Sequence, residues 1–556
     1  MRVAVLGGGV AGLSAAMELL ERGIAVDVYE ALDIPGGKAR SMVIERPSQA
    51  GLPSEHGFRF FPGFYRHVID TMKRIPTVGG KSVADNLVAA DYGMFARAGQ
   101  DPIVVPAISP RSLHDVIDTL HNLRGITKDL STADIEFFAG KLWQIMTSCG
   151  DRRLEEYEDQ SWADFIEAED RSSGYQEWFA GAMTRTLIAA SGNKASARTV
   201  GDITIQILLS SWKPGGQSDR LLDGPTNEVW IDPWMDYLRL RGVRFFPGHR
   251  VQEILLGDSE IEGIRVENDT GDRTITADHY ILAMPVEAVA ALVTDELADA
   301  VPSLATTREL TDRVAWMSGM QIYLRKDTEI VRGHSIYVGS AWGLTSISQQ
   351  QFWPHHRLSA DSGGRVNGVL SVDISDWDSP GSNGKTAREC TLEEIRTEVL
   401  GQLRACVGHL PGVDLSDANV DSFFIDPDIV FFGADGTAEA NHEPLFVNER
   451  GTWWLRPHAH TELPNLYLAS DYVRTNTDLA TMEGANEAAR RAVNAILGRE
   501  GMKARRCHVW SLHEPWALTP LRWMDQRRFA RGEPWSSEIP DVFGRLAHVI
   551  HRGPRR

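Results

Sequence analysis

Val3-Ala4-Val5-Leu6-Gly7-Gly8-Gly9-Val10-Ala11-Gly12 is an apolar run that breaks into glycines. Leu13 to Leu20 and Ile24-Ala-Val-Asp-Val-Tyr-Glu30 follow it. The first run is rich in β-branched residues and reads as a buried parallel strand. Ala15, Ala16, Leu19 and Leu20 then recur at helical spacing, and Ile24 to Tyr29 reads as a second strand. The glycines complete a G-x-G-x-x-G. Gly7 permits the tight turn, Gly9 lets backbone approach a pyrophosphate, and Gly12 lets the helix sit close on the sheet. The helix start at Val10 and Ala11 offers free N–H groups and a partial positive charge to phosphate. Glu30, 21 residues after Gly9, stands where an acid accepts hydrogen bonds from a ribose diol and disfavours a 2′-phosphate. Strand, glycines, helix, strand and acid in this order predict a Rossmann-like dinucleotide site. Glu18 and the glycines distinguish the segment from a signal peptide.

Gly36-Gly37-Lys38-Ala39-Arg40-Ser41 comes next. A second glycine pair with two basic residues suggests another phosphate contact. With this segment the chain resembles the flavin-dependent amine oxidase and phytoene desaturase superfamily, whose members carry GG-[RK]-x-x-S after the first βαβ unit. The resemblance implies that Gly37 and Lys38 touch the FAD phosphates and ribityl chain. Near the other end, Asn465-Leu-Tyr-Leu-Ala-Ser-Asp471 and Thr481-Met-Glu-Gly-Ala-Asn-Glu487 resemble the superfamily's NLYLAGD…MEGA pair. By that resemblance Asp471 binds the ribityl hydroxyls, and the helix start at Met482 faces the flavin N1–C2=O edge. Ser470, Asn486 and Glu487 depart from the pattern. Gly242 to Pro285 reads as a three-strand meander returning to the sheet. There the resemblance puts the Val251 backbone against the adenine.

The implied fold is α/β: a Rossmann-like, glutathione-reductase-type FAD-binding domain with an inserted α+β substrate domain. Residues 1–80, 221–290 and 431–500 are assigned to the FAD-binding domain. Residues 81–220, read as mainly helical, and 291–430 are assigned to the substrate domain. Residues 501–556 form a basic, Trp-rich appendage.

The chain has 556 residues, net charge −19 and 42% hydrophobic residues. Such acidity speaks against nucleic acid as a partner. Residues 501–556 are the exception, with eleven Lys and Arg against five acids. Trp510, Trp516, Trp523 and Trp535 lie among them. Two readings stay open for this tail: an appendage packed on the FAD-binding domain, or a peripheral membrane contact. Cys149, Cys390, Cys406 and Cys507 are widely spaced, without CxxC. They suggest neither disulfides nor a zinc site, and a cytoplasmic setting. No apolar run approaches the roughly 20 residues that span a bilayer. No metal is expected, since His458 and His460 would need two further ligands.

Glu55-His-Gly-Phe-Arg-Phe-Phe-Pro-Gly-Phe-Tyr65 resembles the superfamily segment that passes the isoalloxazine. Gly57 and Phe58 are placed at the ring by that resemblance, and His56 and Arg59 are the polar candidates for the reaction centre. Trp453 is placed as an aromatic wall of the active site. No cysteine stands where a flavin thioether would form, so non-covalent FAD is expected. Ala341 to Trp353 and Leu222 to Trp230 more loosely resemble hydroxysqualene dehydroxylases and carotenoid desaturases, which implies removal of hydride from a C–H bond of an apolar, isoprenoid-like substrate. An amine or amino-acid oxidase forming hydrogen peroxide and a non-catalytic flavin-binding protein remain as alternatives. The oligomeric state is not readable.

Overall fold

The computed structural model describes residues 1–43, 51–107, 130–188, 190–211, 219–432 and 436–537. Five short strands form a wholly parallel sheet in the order Leu466–Leu468, His279–Leu282, Arg2–Leu6, Ala25–Tyr29 and Arg244–Phe246. All five lie in the stretches assigned to the FAD-binding domain, brought together across more than 400 residues of sequence. Val3, Val5, Leu6, Val28, Ile281, Leu282, Leu466 and Leu468 are fully buried, as a sheet covered on both faces requires. Val10–Leu20 and Met482–Arg499 pack on each other beside this sheet.

The meander returns to the sheet as expected, but it has one more strand than was read. Its strands are Arg250–Leu256, Ile261–Asn268 and Gly271–Ile275. His279–Leu282 then enters the parallel sheet between Arg2–Leu6 and Leu466–Leu468. All four of its residues are buried, whereas Gly271 to Thr274 are exposed. Gly271–Ile275, too polar to stand out by apolar alternation, is the strand that the reading missed.

A second, seven-stranded sheet runs Val420–Ile425, Ser318–Leu324, Gly368–Ile374, Thr345–Ser348, Gly333–Tyr337, Tyr92–Ala96 and Ile103–Pro106. Its last two strands lie within 81–220, a stretch otherwise mainly helical among the described residues: Ile103-Val104-Val105 is β-branched and Tyr92–Ala96 pairs parallel with Gly333–Tyr337. The expected helices follow, chiefly Thr132–Thr147 and Ala197–Ser211. Alternation in Gly368–Ile374 sends Leu370, Val372 and Ile374 into a core shared with the helix Leu392–Val407. Val369, Ser371 and Asp373 face the other way, towards the parallel-sheet half.

The described part of the tail packs as a strap. The Trp510 N–H donates to His67 Nε2 at 2.9 Å, and the His513 N–H to Gln206 Oε1 at 2.9 Å. Fully buried Arg152 pairs with Asp525 at 3.0 Å, and Trp535 Nε1 donates to Thr147 Oγ1. Trp516 remains 86% and Trp523 55% exposed. The arginines beyond 537 lie outside the described residues. Among the described residues no helix is long and apolar enough to cross a membrane.

Candidate active site

A cavity of about 900 Å³ runs between the two sheets. One end is the glycine turn. Gly7 has φ +117°, and a Cβ there would stand 2.4 Å from the Ala283 carbonyl oxygen. A Cβ on Gly12 would stand 1.9 Å from the Gly7 oxygen, so the helix reaches the turn only without a side chain. Gly9 is different. Its Cβ would meet nothing nearer than 3.6 Å, so the space it leaves belongs to the cavity. Val10 and Ala11 line that space, and the helix start has no capping side chain and no acid in its first turn. Its N–H groups are therefore free to meet phosphate.

Glu30 lines the same end. It accepts hydrogen bonds from the Gly8 N–H at 2.6 Å and the Leu32 N–H at 2.9 Å, which orient the carboxylate. Burial raises its pKa, against the pull of those two donors. Gly36 and Gly37 both have positive φ and press on Gly9, while Lys38 donates to the Pro444 oxygen and stands 3.5 Å from Glu287. Arg40 is buried and clamps Glu443 and Asp428. Val251 lines the cavity from the meander.

Across the cavity, Leu466–Leu468 leads to Ser470 and Asp471, and Met482 opens the long helix with Thr481 as its cap. The residues that depart from the family pattern have structural work. Asn486 donates to Ser14 and Thr71, and Glu487 accepts from the N–H groups of Asn476 and Thr477. Glu483 accepts from the Arg66, His67 and Val68 N–H groups and from His67 Nδ1. It therefore caps the helix His67–Arg74 from outside. Burial opposes its ionisation, but those donors hold its pKa below the usual carboxylate value.

Between the two ends, His56, Gly57, Phe58 and Arg59 all line the cavity. His56 Nδ1 is 2.8 Å from Asp426, and its Nε2 has no partner. Burial works against the Asp426 charge, yet the His56 hydrogen bond holds its pKa well below normal. Arg59 is held by backbone, donating to the oxygens of Gly57, Phe58 and Lys38. Phe60, Phe64, Ile203 and Ile207 supply apolar wall. Asp373 also lines this stretch; sequence reading passed over it, although the alternation of Val-Leu-Ser-Val-Asp already marked a polar face.

Trp453 does not line the cavity. The short helix Thr452–Leu455 turns it onto Arg198, 4.3 Å from the ring centre, and towards Arg456 and Arg474. Its N–H is tied to Glu158 at 2.9 Å. These cations, not a substrate, explain the indole's position. Among the described residues no group of three His, Cys, Asp or Glu is arranged to hold a metal ion.

Residues 10–497 match the sequence profile of the flavin containing amine oxidoreductases. The chain belongs to that family. It is an FAD-dependent oxidoreductase with a Rossmann-like fold. A zeta-carotene desaturase of Synechocystis sp. is 22% identical over 90% of this chain and 98% of its own. A 15-cis-phytoene desaturase of Synechococcus elongatus is 26% identical over 53% of this chain and 60% of its own. In fold the protein is similar to putrescine oxidase with bound putrescine (TM-score 0.60, 14% identity, 90% and 99% covered). It is also similar to cyclohexylamine oxidase of Brevibacterium oxydans (TM-score 0.57, 16% identity, 90% and 99% covered). The family's cofactor fits the cavity as built: free helix N–H groups and the open space at Gly9 suit a pyrophosphate, and Glu30 suits a ribose. Bound there, FAD supplies a two-electron hydride acceptor.

Proposed function

We propose that the protein is a flavin-dependent desaturase or dehydrogenase that removes hydride from a C–H bond of an apolar, isoprenoid-type substrate. The apolar wall of Phe58, Phe60, Phe64, Ile203 and Ile207 beside the Gly57 loop carries this reading. The near full-length likeness to a zeta-carotene desaturase supports it. In this reading Gly7, Gly9, Ala11, Gly12, Glu30, Gly37, Lys38, Val251, Asp471 and Met482 hold FAD non-covalently. Gly57 and Phe58 place the ring, and His56 and Arg59 are the polar groups of the reaction centre. Exclusion of water and alignment of the C–H bond then supply most of the catalysis. Exposed Trp516 and Trp523, with Arg527 stacked 3.5 Å from the Trp523 ring centre, suit contact with a lipid surface.

Anaerobic mixing of the holoenzyme with acyclic carotene precursors in detergent tests the substrate class. Bleaching of the flavin absorbance is expected. Bleaching by alkyl diamines, with polyenes inert, would replace this reading by the amine oxidase one that the fold neighbours favour.

A further inference from the structure

We propose that Asp373 is the proton acceptor of the reaction chamber. As hydride leaves one substrate carbon for the oxidised flavin, the Asp373 carboxylate takes the proton from the adjacent carbon, and the double bond forms between the two. This rests on the desaturase reading. Two C–H bonds break. One electron pair leaves with its hydrogen as hydride and reduces the flavin by two electrons. The other pair becomes the π bond, and its proton ends on Asp373.

The geometry singles out this carboxylate. Asp373 pairs in register with Gly319 on the neighbouring strand. Gly319 lies against the loop that resembles the flavin-ring segment: its N–H donates to the His56 oxygen at 2.5 Å, and a Cβ on it would stand 2.5 Å from the Gly57 Cα. No side chain fits there, so the adjacent Asp373 is what the sheet presents to the loop. Its Oδ1 lies 2.8 Å from the place of a Cβ on Gly57. The residue is 8% exposed, lines the cavity, and its Oδ1 has no hydrogen-bond partner. The other carboxylates near the loop are engaged: Glu55 with Thr226, Asp426 with His56, Asp428 and Glu443 with Arg40. Glu287 also lines the cavity with both oxygens free of hydrogen bonds, but it faces the Lys38 ammonium at 3.5 Å, which favours its charged form, and it is not among the residues against the Gly57 loop.

The charge balance suits the task. Burial pushes the Asp373 pKa up to about 7, against the pull of Arg59 and the Phe58 N–H, with Glu55 adding to the rise. A group that titrates near neutrality can both take a proton and release it between turnovers. His56, with its own unpartnered Nε2, is the rival acceptor.

The test uses holoenzyme of wild type, Asp373→Asn and His56→Gln. The rate of anaerobic flavin bleaching by an acyclic carotene precursor is followed from pH 5.5 to 9, and the protonated-carboxyl infrared band is titrated alongside. In wild type the rate should rise through one limb near pH 7. In Asp373→Asn the rate should fall about 100-fold and the limb should vanish, with flavin content and dithionite reduction unchanged. The infrared band should disappear near pH 7 in wild type and be missing from the variant. A limb lost in His56→Gln but kept in Asp373→Asn, or an Asp373→Asn enzyme at wild-type rate, overturns the proposal alone. A wild type bleached by no polyene overturns the desaturase reading and the proposal with it, and the infrared titration then still reports whether Asp373 ionises near neutrality.

Discussion

The helices Val10–Leu20 and Met482–Arg499 both begin at the cavity, and opposite means hold them there. The first is placed by what is missing: no side chain at Gly7, Gly9 or Gly12, no capping group and no first-turn acid. The second is placed by what is present. Thr481 caps it, and Glu483, Asn486, Glu487 and Arg490 are buried and hydrogen-bonded to the surrounding chain. A glycine turn writes its geometry locally, whereas a buried polar helix depends on partners hundreds of residues away. The two ends should therefore fail differently under mutation.

The glycine end should fail outright. Gly12→Ala places a methyl 1.9 Å from a carbonyl oxygen that cannot yield without unmaking the turn. We expect a loss of about 3 kcal/mol and purified protein without flavin absorbance. A yellow, wild-type-stable Gly12→Ala would show that this end tolerates side chains after all.

The polar end should weaken by steps. Glu483→Gln removes the charge that caps His67–Arg74 and should cost about 3 kcal/mol in denaturant unfolding, because its donors remain buried. The sign with pH follows from its depressed pKa. The contribution is complete above the unfolded value of 4.5 and is lost as pH falls through the lower folded one. The gap between wild type and variant should thus be full at neutral pH and close on acidification; a gap that widens in acid would contradict a charged cap. Thr481→Ala removes one cap hydrogen bond and should cost about 1 kcal/mol, with flavin still bound. Matching losses for Thr481→Ala and Gly12→Ala would erase the distinction between the two ends.

Smallest is the strap. Trp516→Ala, at a side chain 86% exposed, should change stability by less than about 0.5 kcal/mol. The same variant should reduce sedimentation with vesicles containing anionic phosphatidylglycerol. Unchanged sedimentation would leave the strap as packing only.

The distinction also explains what could be read early. The Gly7–Gly12 turn, the acid at Glu30 and the strand before Asp471 are local patterns, and their positions around one cavity follow from spacing and resemblance. His56, Gly57, Phe58 and Arg59 do line that cavity. Trp453 does not, because Glu158 and Arg198 from a distant segment, with Arg456 and Arg474, hold it away from the cavity. The strands at 92–96 and 103–106 were hidden in a region of helical composition, since 92–96 is placed by a partner at 333–337 and 103–106 joins the sheet only through 92–96.

By itself, then, the amino-acid order determined the glycine turn with its flanking strands and helix, because backbone sterics and short-range periodicity act within a few residues; the helix opening at Met482 was placed opposite it by resemblance alone. Tertiary structure alone decided which carboxylates face the chamber. Asp373 and Asp426 are ordinary acids in sequence. Only strand register and burial leave Oδ1 of the first without a hydrogen-bond partner and tie the second to His56.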